Sequence, residues 1–344
     1  MYLESALNPT KDHPDFPVYA CGYDWRLSNT DSAATLSALV DTLLNRYSGR
    51  AKDVIVLTHS QGGLVVRGGL VADGSLEAKI RGIVHTVQPS NGSVTCYRRF
   101  LTGAAKPLDT EKTVTDIVLN NIMGTSFAEY AYNLSGLPGT LQLLPNHVYA
   151  KFVPGNWLEG VDSSVDLGDI YNVYRRECLP GIAGIVSTAQ RQCGTTEEIS
   201  SGSVASDFAN NLAEAERFHK AVETRAHSRT YVLYSTGRPT DQSIAFLDMS
   251  AIQFGSISAL DYSEDVVDPM TGTVVGVARP QWTFDRTDVN DQRSQIVYRK
   301  PPEGDGTVSE SSATCPGLAV LAPTPMAAGA ALQHSDVFAN ADFN

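Results

Sequence analysis

Short apolar blocks, each closed by glycine or polar residues, organise the first ninety or so positions of the chain. Residues 17–23 (PVYACGY) read as a short buried strand. Leu36, Leu39, Val40, Leu43, Leu44 and Tyr47 then recur at helical spacing. Asn29, Thr30 and Asp31 are N-cap candidates ahead of that run, and Gly49 ends it. Val54 to Leu57 predicts a buried, largely β-branched strand. Gly62 to about Ala72 predicts a helix despite four glycines, and Ile80 to Val87 a further strand. Strands alternating with helices pair in parallel, so the fold class is α/β.

The alternation breaks after residue 93. Residues 94–227 hold helical stretches, Pro/Gly breaks and a polar patch, GTTEEISSGS. One helix is expected from about Ser206 to Thr224, with Phe208, Leu212 and Phe218 on its apolar stripe. Strand patterns return at Thr230–Tyr234, Val274–Val277 and Gln295–Tyr298. The turn DPMTG before Val274 implies a hairpin. The chain therefore divides into residues 1–93, an insertion at 94–227, and residues 228–344, with no internal repeat.

Composition narrows the function. The chain has 344 residues, 42% of them hydrophobic, enough for a sizeable core. Its net charge of -12 argues against nucleic acid as a partner. No apolar run approaches the roughly eighteen residues of a transmembrane helix. The opening MYLESALNPTKDHPDF lacks the regions of a signal peptide, which points to the cytoplasm; a signal lying upstream would make the protein secreted. The five cysteines have no zinc-like spacing, and free thiols are the simpler reading. Cys178 and Cys193 would close a short disulfide loop in an exported protein. Asn91-Gly92-Ser93 and Asn133-Leu134-Ser135 match the N-glycosylation pattern.

The chemistry concentrates at Thr58-His59-Ser60-Gln61-Gly62-Gly63. A serine hemmed by small residues between strand and helix is a nucleophile elbow. The tight turn exposes Ser60 Oγ and aims the backbone N–H of Gln61 at a developing oxyanion. Thr58 stands where glycine is common. A serine needs a base, and the base an acid, in the chain order serine, acid, histidine. His85 falls within the next strand, and His147, His219 and His227 in the insertion or at its end. His334, in a late loop, is the base candidate. Asp305, in the turn Glu303-Gly304-Asp305-Gly306-Thr307, is the first candidate acid and Asp241 the second.

Five stretches in order resemble the lecithin:cholesterol acyltransferase-like family of α/β-hydrolases: Tyr23-Asp24-Trp25-Arg26, His59-Ser60-Gln61-Gly62-Gly63, Pro89-Ser90-Asn91-Gly92-Ser93, Gly237-Arg238-Pro239-Thr240 and Gly304-Asp305-Gly306-Thr307-Val308. Leu143-Leu144-Pro145 is also similar to a family feature. The resemblance implies an α/β-hydrolase fold, a mostly parallel sheet flanked by helices, with a large helical lid in the 94–227 insertion. It implies catalysis by Ser60, His334 and Asp305 on an acyl ester or lipid, with Gln61 in the oxyanion hole. No metal or diffusible cofactor is needed. Tyr23, Asp24 and Trp25 would lie near the substrate, or Asp24 would serve Arg26 structurally. The lid would make peripheral lipid contact; Phe100, Leu101, Phe127, Tyr130, Tyr132, Phe152 and Trp157 would line an acyl pocket or form the insertion's own core.

One expected part is missing. The second oxyanion donor belongs to a loop after a strand upstream of Tyr23-Asp24-Trp25-Arg26, and only about twenty residues precede Tyr23. The expectation is a chain that begins inside its domain, without the N-terminal strands. The readings are then a serine ester hydrolase or O-acyltransferase, a serine hydrolase of other specificity, and an impaired scaffold that acts by binding.

Overall fold

The computed structural model describes residues 2–8, 16–102, 132–153, 157–159, 169–175, 201–238, 240–248, 264–267, 274–278, 282–284, 293–300, 304–326 and 332–336. After a short helix α1 (Tyr2–Leu7), the first long element is α2 (Asn29–Arg46). Its N-cap is Ser28, one residue before the three candidates; the Ser28 hydroxyl accepts from the Thr30 N–H at 3.3 Å. Asp31 in the first turn and Arg46 in the last complement the helix dipole. Ala33, Leu36 and Val40 are its buried stripe.

The predicted alternation follows: β1 (Val54–His59), α3 (Gly62–Ala72), α4 (Leu76–Lys79) and β2 (Ile80–Thr86). Next come α5 (Val94–Thr102), α6 (Pro138–Leu141), β3 (Leu158–Glu159), α7 (Ser201–Val222) and β4 (Thr230–Tyr234). The chain continues through β5 (Thr240–Asp248), β6 (Glu264–Val267), β7 (Val274–Ala278), β8 (Trp282–Phe284), β9 (Arg293–Lys300), α8 (Glu310–Ala313) and β10 (Thr324–Pro325).

The main sheet runs β1-β2-β4-β10 with every pairing parallel. Thr58 is opposite His85, and Thr86 opposite Leu233, so β1, β2 and β4 end along one edge. Ligand sites of open α/β sheets lie outside that carboxyl edge. The alternation on β1 buries Thr58 on the face covered by α2 and α3, and leaves Ile55 and Leu57 exposed on the other. Arg67, fully buried on α3, donates to the carbonyls of Arg225, Ser90 and Val222. One guanidinium thereby ties α3 to the loop after β2 and to the end of α7.

Residues 17–23 form no strand. They pass beside α2 and β1: the Tyr19 hydroxyl meets that of Tyr47, and Cys21 packs on the cluster of Leu36, Val40, Val66 and Ile83. An apolar pattern supplies strand character only where a neighbouring strand offers its N–H and C=O groups, and the described residues provide none there. A second sheet, β3-β5-β9-β8, was not predicted. In it β5 pairs with β9, and β9 with β8, antiparallel. The predicted hairpin is present as β6 and β7; its DPMTG turn lies outside the described residues.

Among the described residues the largest core cluster joins α5, α6, Tyr149, Trp157, Tyr171, Tyr174 and α7 to Ile244 of β5. Phe100 and Trp157 are buried in it, with Tyr132 packed at its margin. Phe127 and Tyr130 lie outside the described residues, as do Cys178 and Cys193. Cys21, Cys96 and Cys315 are free thiols. Asn91 is buried, so its glycosylation pattern is not presented at the surface.

Candidate active site

Ser60 sits where β1 stops and α3 starts. Its φ is +52°, a left-handed backbone unusual for a side-chain-bearing residue. The strain is held from both sides. The Ser60 N–H donates to Thr86 O at 3.0 Å, continuing the β1–β2 ladder for one more residue. The N–H groups of Leu64 and Val65 already donate to Gln61 O, so the helix begins at once. Such strain persists where the surroundings over-determine it, and marks functional sites. Thr58, in place of glycine, shares a hydrogen bond of 2.9 Å with His85 Nδ1 on the adjacent strand. Burial, then the charge of Arg67, push His85 down to about 3, so His85 is a neutral core histidine.

His334 stands between Ser60 and Asp305. Its Nε2 is 2.8 Å from Ser60 Oγ, and its Nδ1 is 2.7 Å from Asp305 Oδ2. The carboxylate of Asp305 is buried in its own turn: Oδ1 accepts from the N–H groups of Thr307 at 2.9 Å and Val308 at 2.7 Å. Gly306 supplies the positive φ of 90° that this turn needs, and its N–H donates to Thr240 Oγ1. The His334 N–H donates to Asp305 O at 3.0 Å, fixing backbone against backbone. An ionised carboxylate only accepts, so Nδ1 carries the proton and Nε2 offers its lone pair to the Ser60 hydroxyl.

His59 was not singled out in the sequence. Its Nε2 donates to the carbonyl of His334 at 2.8 Å, and the two rings lie 5.0 Å apart. Burial holds its basicity below the usual imidazole range. It ties the loop bearing His334 to the end of β1. Gln61 has two parts in the site. Its backbone N–H stands at the N-terminus of α3, while its side-chain amide donates to Trp25 O at 3.2 Å and Asn29 Oδ1 at 3.1 Å.

The structure brings Tyr23 close to the elbow. A Cβ built on Gly62 would stand 3.7 Å from the Tyr23 hydroxyl. Asp24 is engaged by Arg26, whose Nε and Nη2 donate to its two oxygens at 2.9 and 2.7 Å. That fork, with the Arg26 N–H, holds the Asp24 carboxyl down at about 2. Trp25 is 40% exposed. Gly139, whose N–H donates to Arg26 O, lets α6 approach so closely that a Cβ there would fall 2.2 Å from Trp25 O. Asp241, the second candidate acid, lies elsewhere: it accepts from Arg98 Nε at 2.8 Å and Thr95 Oγ1 at 3.2 Å, with both partners of the ion pair buried.

A sequence model of the lecithin:cholesterol acyltransferase family matches residues 13–316. The chain belongs to that family. The matched span holds Ser60 and Asp305 and stops before His334, which the fold brings to them. A solved structure, "The crystal structure of Tle4-Tli4 complex", contains a chain similar to this one, at 20% identity and a TM-score of 0.64. The likeness covers 95% of this chain and 66% of that one. It bears on the fold, and with the mostly parallel sheet and its flanking helices it supports α/β-hydrolase architecture for this lecithin:cholesterol acyltransferase family member. None of the curated proteins compared matches the chain. Among the described residues no helix is long and apolar enough to cross a membrane.

Proposed function

We propose that this lecithin:cholesterol acyltransferase family member is a serine-dependent acyl ester hydrolase of the lipase or phospholipase type, able to pass its acyl group to water or to an alcohol. The observation that carries this reading is the unbroken line from Asp305 through His334 to Ser60, at 2.7 and 2.8 Å. Ser60 Oγ bonds to the ester carbonyl carbon while His334 Nε2 takes its proton. The carbonyl electron pair moves onto oxygen and accepts from the Gln61 N–H. Collapse expels the alcohol, which leaves with the proton from His334. Water or a second alcohol then repeats the steps on the acyl-serine. Asp305, with two backbone donors on its other oxygen, holds the imidazole in place.

In this reading residues 94–227 act as the lid and meet the lipid surface. Trp25 and Leu27, 40% and 49% exposed beside the elbow, offer apolar surface to an acyl chain. Asp24 contributes by holding Arg26 and the shape of the segment. The test is p-nitrophenyl butyrate hydrolysis by the chain beside Ser60→Ala and His334→Ala. Each substitution should lower kcat by roughly 10³-fold or more, and Ser60→Ala should abolish labelling by a fluorophosphonate. A folded chain that neither turns over nor labels would instead be a binding scaffold.

A further inference from the structure

Among the described residues the elbow offers the new oxyanion the backbone N–H of Gln61, and tetrahedral intermediates are ordinarily held by two donors. We infer that the Tyr23 hydroxyl is the second oxyanion donor, an inference that rests on the acyl-serine reading of Ser60. Position is the first argument. Gly62 is two residues beyond Ser60 in the first turn of α3, and the Tyr23 hydroxyl stands 3.7 Å from where its Cβ would be. A Cβ there would meet the phenol, and Thr58 Cβ, at ordinary contact distance, so the hydroxyl lies beside the first turn of the helix.

Rigidity is the second argument. The backbone after Tyr23 is pinned at three consecutive carbonyls and closed by a turn of its own. Ser32 Oγ donates to Asp24 O at 3.3 Å, the Gln61 amide to Trp25 O at 3.2 Å, the Gly139 N–H to Arg26 O at 3.1 Å, and the Leu27 N–H to Asp24 O at 3.2 Å. Gln61 thus places both donors: its main chain is one, and its side chain holds the segment bearing the other. A donor fixed before the reaction costs no reorganisation when the charge appears.

Chemistry is the third. Burial raises the affinity of the Tyr23 phenol for its proton, so it remains an O–H donor through neutral pH. As Ser60 Oγ bonds to carbon and the π pair moves to oxygen, the O–H and the Gln61 N–H share the new charge; both are released when the C=O re-forms and the C–O bond to the alcohol breaks. No proton leaves Tyr23 in the cycle.

Tyr23→Phe keeps the ring and removes the donor. On p-nitrophenyl butyrate it should lower kcat about 10²–10³-fold while KM stays within about twofold. Affinity for a trifluoromethyl ketone, whose serine adduct carries the oxyanion, should fall in parallel; a residue that only packs would not separate analogue from substrate. A ring-fluorinated tyrosine at position 23 preserves the shape and lowers the phenol pKa. Activity should then fall as pH rises through that pKa, where the native chain's does not. A folded Tyr23→Phe with kcat within about threefold of the native value, or an unchanged pH profile with the fluorinated residue, would overturn the assignment. Activity surviving Ser60→Ala would overturn the acyl-serine reading itself. Activity that needs Ser60 and ignores Tyr23→Phe overturns the donor alone.

Discussion

At the scale of single residues, the site depends on which nitrogen of His334 carries the proton. Asp305 decides this, because one of its oxygens is taken by the Thr307 and Val308 N–H groups and the other faces Nδ1. Asp305→Asn would keep the shape and present an N–H to Nδ1, moving the proton to Nε2, where it faces Ser60. The expected loss in kcat is about 10⁴-fold, with little change in melting temperature, read by esterase kinetics beside a thermal melt. His59 acts one step back, through the carbonyl of His334. His59→Phe should lower kcat roughly 10-fold by letting the base loop shift, and His59→Gln, which can still donate, should restore part of it. Ser60, Asp305 and His334 were legible in the sequence because each announces itself locally: a serine between strand and helix, an aspartate in a glycine turn, a late loop histidine. The Tyr23-Asp24-Trp25-Arg26 stretch put Tyr23 near the substrate only by resemblance, and His59 gave no local signal for its bond to the base loop. His59 meets a partner 275 positions away, and the nearness of the Tyr23 hydroxyl to Gly62 comes from the fold.

At the scale of elements, the segment after Tyr23 and α6 are built to touch. Gly139 would place a Cβ 2.2 Å from Trp25 O and 2.5 Å from Leu27 O, both backbone atoms that cannot rotate away. Gly139→Ala should therefore cost about 1–3 kcal/mol of stability, read as a shift of the urea midpoint. It should also lower kcat, because Trp25 O is where Gln61 grips. Unchanged stability would mean that the segment yields freely. The alternation of β1, α3 and β2 was legible because apolar strands and a glycine-flanked helix each match one period. Residues 17–23 carried the same apolar signal but, with no partner strand among the described residues, are irregular. β5 failed in the other direction. Its first residues, Thr240, Asp241, Gln242 and Ser243, are polar yet buried, so periodicity could not mark them as a strand. What makes burial tolerable there is partly Arg98 against Asp241, 143 residues apart.

At the scale of the whole molecule, two histidines outside the site couple the packing to pH. His219 Nε2 faces the carbonyl of Gln142 at 2.9 Å and must donate, so Nδ1 accepts from the Tyr171 hydroxyl at 2.9 Å. Only the neutral ring satisfies both. Gln142 in turn caps the start of α2: its Oε1 accepts from the Asn29 N–H, and its Nε2 donates to Ser28 Oγ. Burial, partly offset by the bond to Gln142, lowers His219 to about 4; His85 lies lower still, at about 3. In the unfolded chain both would titrate near 6.5, close to the ordinary imidazole value. Between that pH and the folded values the unfolded chain binds protons that the folded one refuses, so acid favours unfolding. The stabilisation is complete above about pH 6.5 and is lost as pH falls, at up to ~1.4 kcal/mol per pH unit for each histidine. His59, also lowered, adds in the same direction. Asp24 enters only at more acidic pH, its carboxyl being held at about 2. Urea midpoints should therefore be level from pH 8 to about 6.5 and decline steeply towards 4.5. His219→Gln should make that decline shallower, since one of the refused protons is gone. A level profile across the window would mean that these rings take up protons without loss of packing. A decline that His219→Gln leaves unchanged would assign the acid sensitivity to His85, beneath Thr58 and the elbow.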